Sequence, residues 1–284
     1  MLLPLFFIHR EDIMFKKILV LTVCLMMALG VASCAKEKDV LKVGMECDYA
    51  PFNWTQATAS ETSVPLEDGG YADGYDVQIA KMMADALGRK LEVVKTDWAG
   101  LPQALESGKI DLIIAGMSPT ADRKLTIDFT DAYYTSELVI VVNRNSVYTH
   151  VTELSGFSGA VVTGQINTVH YDVIDQIPGV VKENAMETFP AMIVALTSGK
   201  IDGYVSELPG AVSAVAANSD LSFVQFAVGQ GFVAAEDDVA VAIGVKKGNE
   251  DLVSQLNEAL SGISEQTRQQ MMTDAVANQP LSQL

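Results

Sequence analysis

The chain has 284 residues, 49% apolar and 7% aromatic, which is ample for a packed core and excludes global disorder. Its formal net charge is −17 at pH 7, with 19 basic against 36 acidic residues and no basic stripe, which excludes a nucleic-acid-binding surface. The length suits one large domain or two modest ones, and the acidity suits a soluble monomer.

The N-terminus reads first. Lys16 and Lys17 precede "ILVLTVCLMMALGVAS", 16 residues without a charge. That is short of the roughly 20 residues a membrane span needs and right for the apolar region of a signal peptide over residues 1–33. The run ends in Val31-Ala32-Ser33-Cys34, which resembles a bacterial lipobox, so Cys34 is expected to be lipidated and to anchor the exported chain to a membrane. Residues 1–13 fit badly ahead of a basic start, which makes Met14 the alternative initiator. Without residues 1–33 the chain keeps 16 basic and 34 acidic residues, a charge of −18. Cys34 and Cys47 then remain. With Cys34 acylated, no internal disulfide can form, and Cys47 reads as a quiet buried thiol. "AKEKDV" is a polar tether, taken as residues 34–38.

"VLKVGMEC" follows as a strand running into the Pro-punctuated "YAPFNW", and the polar "TQATASETSVPLEDGGYADG" reads as a surface loop. "YDVQIAKMMADALGRK" places Val77, Ile79, Ala80, Met83, Ala84 and Leu87 on one helical face, stopped by Gly88. "LEVVKT" is a strand, "WAGLPQALESG" a short helix and "IDLIIAG" a strand, an order that implies a largely parallel sheet. The pattern restarts with "GAVVTG" as a strand, "TVHYDVIDQI" as a helix ended by Pro178, "FPAMIVALTSG" as a helix and "IDGYVSE" as a strand. Ser-Gly-Lys-Ile-Asp thus occurs twice, 91 positions apart, at Ser107 and Ser198. Gly108 and Gly199 each close a helix and Ile-Asp opens the next strand, so the repeat is turn chemistry and its message is two lobes of like construction. Ligands of such sheets bind beyond the carboxyl ends of the strands, and two lobes facing each other make a cleft.

After the third strand comes Ser-x-Thr-x-x-Arg, with Ser118, Thr120 and Arg123. Two hydroxyls and a guanidinium can surround a carboxylate, the fork giving paired charge-assisted bonds; alone, the pattern also fits a polar turn with a solvated arginine. "YADGYDVQIA" followed by "GMSPTADRKLTIDFTDAYY" resembles the polar amino-acid-binding proteins of bacterial ABC importers, the family 3 type of extracellular solute-binding protein, over roughly residues 40–275. The resemblance implies an α/β chain of two Rossmann-like lobes joined by a two-strand hinge, the type II periplasmic-binding-protein arrangement. Lobe 1 would take residues 39–137 and 233–284 and lobe 2 residues 138–232, with crossing strands near "SELVIVV" and "GFVAAEDDVAV". It implies that Arg123 meets the α-carboxylate of a free amino acid, with Ser118 and Thr120 assisting, and that the backbone about Gly116 and Met117 meets the α-ammonium. Tyr49 and Trp98 would sandwich the ligand side chain. Asn167-Thr168 stands where the family has Gly-Thr or Gly-Ser at a helix start, and Glu207 stands where most relatives place an aspartate for the ammonium. Gln78 stands where an acid is common. Glu46 would meet the distal end of the ligand, which makes arginine or lysine the expected ligand. Glutamine or another polar amino acid is the alternative, and a solvated strand-end Glu46 the plain structural one. Asp48 is expected to point the other way along its strand.

The partners so implied are a free amino acid and an ABC permease with separate ATPase subunits; no cofactor is implied. A dehydratase or murein lyase on the same scaffold, with Glu46 or Glu207 as acid, is the rival from another class. His9, His150 and His170 show no metal-ligand spacing. Gly229-Gln230-Gly231-Phe232-Val233-Ala234 fits a dinucleotide fingerprint, but acids follow it where a helix is required, and it reads as hinge. Met82-Met83 and Met271-Met272 read as core.

Overall fold

The computed structural model describes residues 40–280. The expected signal peptide, the lipidated Cys34 and the tether lie outside the described residues. The first lobe opens with β1 (Val40–Met45), whose Leu41, Val43 and Met45 are fully buried. A small antiparallel sheet follows, built from β2 (Asp48–Tyr49), β3 (Asn53–Gln56), β4 (Val64–Pro65) and β5 (Tyr71–Asp73) in the order β2-β3-β5-β4. This corrects the expectation of a surface loop. Val64, Leu66 and Ala72 supply buried side chains inside a polar composition, and the Gly69-Gly70 pair turns the chain between β4 and β5.

Helix α1 (Tyr75–Ala86), β6 (Lys90–Lys95), α2 (Leu101–Glu106) and β7 (Leu112–Ile113) complete the expected alternation. Val77, Ile79, Ala80, Met83 and Ala84 are buried on α1, whereas Met82 is 38% exposed and is not core. One helical step of about 100° carries it off the face that holds Met83. β8 (Ile127–Thr135) leads out of this lobe and β9 (Leu138–Asn143) enters the second. There β10 (Val161–Thr163), α3 (Val169–Asp172), β11 (Val181–Lys182), α4 (Phe189–Thr197), β12 (Gly203–Glu207), α5 (Leu208–Ala217) and β13 (Leu221–Val224) follow. The chain returns through β14 (Ala240–Lys246) and ends its described part with α6 (Glu250–Ser261) and α7 (Glu265–Asn278). Met271 and Met272 on α7 are buried.

The two main sheets have matching plans, β6-β1-β7-β14-β8 and β11-β10-β12-β9-β13. In each, three parallel strands are joined by a fourth, antiparallel strand that has just arrived from the other lobe, β14 in one and β9 in the other. The crossings are unequal. The first is short, with Ser136 N–H donating to Val239 O at 3.0 Å. The second becomes a strand only at Ala240, because Glu236–Asp238 form a 3-10 turn where the sequence suggested an extended segment.

The repeated pentapeptide performs one job twice. Gly108 and Gly199 adopt φ of 75° and 74°, and Lys109 and Lys200 donate back to Ala104 O and Ala195 O, both at 2.9 Å, ending α2 and α4 alike. The aspartates add what the turn alone did not suggest. Asp111 carboxylate accepts from Lys42 N–H at 3.0 Å, and Asp202 accepts from Val161 N–H at 2.8 Å. Each clamps the neighbouring central strand of its own lobe.

Candidate ligand-binding site

The carboxyl ends of β1 and β7 face those of β10 and β12, and the side chains that leave them meet directly. From the first lobe come Glu46 and Tyr49 just past β1, Trp98 after β6, and Gly116, Ser118 and Arg123 after β7. From the second come Gln165 to His170 after β10, Phe189 at the start of α4, and Glu207 at the end of β12. Tyr49, Trp98, Gly116, Ser118, Arg123 and Thr168 line one small cavity between the lobes.

Bonds across the junction are specific. Arg123 donates through Nη1 to Ser118 O and through Nη2 to Asn167 O, each at 2.8 Å, and its guanidinium lies 5.1 Å from the centre of the Trp98 ring. Burial pulls its pKa down to about 10, which leaves it charged at neutral pH. Asn167 reaches this carbonyl position with φ of 58°, the left-handed geometry asparagine tolerates. Trp98 Nε1 donates to Ile166 O at 3.1 Å. The Tyr49 hydroxyl donates to Glu207 Oε2, and His170 Nε2 lies 3.6 Å from Glu207 Oε1.

Glu46 is the least satisfied charged group here. It is 5% exposed, accepts from Gln165 Nε2 at 3.0 Å through Oε2, and has no partner on Oε1. Burial pushes its carboxyl up to about 7; the Gln165 bond opposes that, while Asp48, Asp76 and Asp97 reinforce it. A solvated strand-end Glu46 is therefore excluded. Asp48 does point away, exposed, with Lys95 Nζ 3.9 Å from its Oδ1.

Other expected site residues sit differently. Met117 is buried and its carbonyl accepts from Ala242 N–H at 3.0 Å. Ser118 lines the cavity but its hydroxyl donates to Asp238 O at 3.1 Å. Thr120 and Asn167 line an outer groove beside Arg123, with Thr120 Oγ1 accepting from Arg123 N–H at 3.4 Å. Thr168 stands at the N-cap position of α3 but makes no capping bond, its hydroxyl donating instead to Gln165 O at 2.7 Å. Tyr49 and Trp98 are each engaged within the protein. Tyr49 stacks on Phe189, with centroids 4.1 Å apart, and on Phe52 at 5.0 Å, while Trp98 faces Arg123. Phe189, Gln165 and His170 were not anticipated. Gln165 and His170 flank the Asn167-Thr168 turn, and Phe189 opens the helix that carries the second repeat, so proximity to those motifs was their one signal. Among the described residues, no group of three His, Cys, Asp or Glu side chains is placed to hold a metal ion. Cys47 is buried, and burial pushes its thiol up to about 12, an inert state.

Residues 41–275 match the bacterial extracellular solute-binding proteins, family 3. The arginine-binding extracellular protein ArtP of Bacillus subtilis (strain 168) is 28% identical over 255 residues, covering 86% of this chain and 91% of that protein. A probable histidine-binding protein of Neisseria gonorrhoeae is 29% identical over 241 residues, 82% of this chain and 81% of that protein. An amino acid ABC transporter substrate-binding protein from Streptococcus pneumoniae Canada MDR_19A, solved bound to L-arginine, aligns with a TM-score of 0.74 at 25% identity, covering 86% of this chain and 97% of that one.

Proposed function

The chain belongs to the bacterial extracellular solute-binding proteins, family 3, and from that premise we propose that it captures a free basic L-amino acid, arginine or lysine, between its lobes. It hands the ligand unchanged to an ABC permease served by separate ATPase subunits. Arg123 takes the α-carboxylate, Glu207 and the Gly116 backbone the α-ammonium, and Glu46 the cationic end of the side chain. The observation that carries the basic specificity is the buried Glu46 with its unpartnered Oε1. A buried carboxylate costs stability unless a cation or donors meet it, and a guanidinium or ammonium supplies both charge and N–H groups. Both amide hydrogens of Gln165 are already directed, to Glu46 Oε2 and to Glu187 O at 2.9 Å, so Oε1 is the buried oxygen left without a donor.

One observation favours glutamine as a second reading: Glu46 already accepts from a carboxamide, that of Gln165, as it would from a glutamine side chain. Calorimetry separates the two. Arginine is expected to bind more tightly than glutamine, and Glu46→Gln to weaken arginine at least about tenfold while changing glutamine little. Tighter glutamine binding, or an unchanged arginine affinity in Glu46→Gln, would overturn the basic reading.

The site of action is extracytoplasmic, and the anchor in this reading is a lipid on Cys34. Metabolic palmitate labelling is expected in the wild type and lost in Cys34→Ala; equal labelling of the two would remove the anchor.

A further inference from the structure

We propose that Asp76 is the positioning hub of the site, fixing through two separate arms the backbone beside Glu46 and the backbone at Gly116. Its carboxylate is fully buried. Oδ1 accepts from the Tyr133 hydroxyl at 2.7 Å, and that hydroxyl oxygen accepts from Gly116 N–H at 3.2 Å. Oδ2 accepts from Asn53 Nδ2 at 2.7 Å, and Asn53 Oδ1 accepts from Cys47 N–H at 2.7 Å. Asn53 and Tyr133 are themselves fully buried, so neither arm competes with water.

The arms end at the two backbone positions that need holding. Cys47 adopts φ of 58°, a conformation unfavourable to a residue bearing a Cβ, and it directly follows Glu46. Gly116 adopts φ of 60°, and a Cβ there would lie 3.0 Å from the Tyr49 ring. One arm therefore sets the direction of Glu46, and the other sets the floor under Tyr49 from which Ser118 and Arg123 continue. All of these residues belong to the first lobe, so the hub organises its half of the site whether or not the lobes are closed. An apolar side chain of like volume would fill the same space at less cost in desolvation, but it could not hold two backbone N–H groups. Burial, with the nearby Glu207 carboxylate, pushes the Asp76 carboxyl up to about 7, against the pull of its bonds from Tyr133 and Asn53 and of the Gly116 N–H itself.

This inference rests on the amino-acid reading and predicts a division of labour that a purely structural role lacks. The full chain, as wild type, Tyr133→Phe, Asn53→Ala and Asp76→Asn, would be titrated with arginine and with glutamine. Tyr133→Phe cuts only the Gly116 arm, which serves groups common to all amino acids, so both ligands are expected to weaken equally, by about 5- to 30-fold for one buried bond. Asn53→Ala cuts only the Glu46 arm, so the ratio of arginine to glutamine affinity should change. Asp76→Asn should do both, since its amide places a donor against one of two donors. The amide resonance of Gly116 in the unliganded protein should move in Tyr133→Phe and not in Asn53→Ala. Tyr133→Phe removes a single oxygen and keeps the result interpretable if Asp76→Asn misfolds. Wild-type binding with an unchanged affinity ratio in Asn53→Ala, or unchanged affinities in Tyr133→Phe, would overturn the hub. A wild type that binds neither ligand would overturn the amino-acid reading instead.

Discussion

Replacing Arg123 by alanine is expected to weaken ligand binding at least about 30- to 100-fold, the loss of about 2–3 kcal/mol for a paired charge-assisted contact in a closed cleft. The guanidinium reaches both lobes, donating to Ser118 O on one side and Asn167 O on the other, and lies against Trp98. Two of its five N–H groups are directed to these carbonyls, which leaves donors for a carboxylate while the side chain is held in place. Alanine removes the proposed carboxylate partner and the observed bridge together. Arg123→Lys keeps the charge on one point, cannot span both carbonyls, and should bind nearly as poorly. Calorimetry against the wild type checks affinity, and thermal unfolding without ligand separates a lost contact from a damaged fold. Near-native affinity in Arg123→Ala with an unchanged melting temperature would return Arg123 to the polar-turn reading.

The plan of the molecule was legible because its two lobes are written in the same grammar. A helix ended by Gly108 and another ended by Gly199 each lead into a buried Ile followed by a half-buried Asp, and that suffices to expect two similar α/β units. What the grammar hides is long-range. Asp111 and Asp202 look like strand-opening residues, and their bonds to Lys42 and Val161 become visible only when the sheet brings those strands alongside. The polar stretch after Trp54 was misread for a related reason. Its strands β4 and β5 are two and three residues long, too short for alternation to register, and their buried positions are spread through serines, threonines and acids.

The first lobe's part of the site was easier to read than the second's. Ser118, Thr120 and Arg123 sit within six residues, so their pattern could be read locally, although the Ser118 hydroxyl donates to Asp238 O and Thr120 serves Arg123 N–H and the outer groove. Gln165 and Phe189 meet residues of the opposite lobe, Glu46 and Tyr49 respectively, and His170 meets Glu207, 37 positions away on its own lobe. No local pattern encodes such a pairing. Asn53, Asp76 and Tyr133 show the same limit inside one lobe, since they lie on β3, α1 and β8 and their shared centre belongs to no single segment.

Arginine affinity is expected to fall about 100-fold between pH 8 and pH 5, because the proton competes with the ligand for Glu46. In the unliganded protein burial holds this carboxyl up at about 7, so at pH 8 it is mostly ionised and at pH 5 mostly protonated. A guanidinium against Oε1 favours the ionised form and lowers that pKa. Below about 7, binding must therefore expel a proton, and each pH unit costs about tenfold until the lowered pKa of the complex is reached. The loss lies on the acid side, since a cationic ligand stabilises the form that acid removes. Glutamine, neutral at its side chain, should show a shallower slope, and Glu46→Gln should bind arginine weakly with the slope largely gone. A slope that survives in that variant comes from another group of the site, for which Asp76, its carboxyl likewise pushed up to about 7, and the His170–Glu207 pair are the candidates. Titrations across this range, repeated in buffers of different ionisation enthalpy, measure both the affinity and the proton released. Equal arginine affinity at pH 5 and pH 8, with no proton release, would mean that Glu46 does not face the cation.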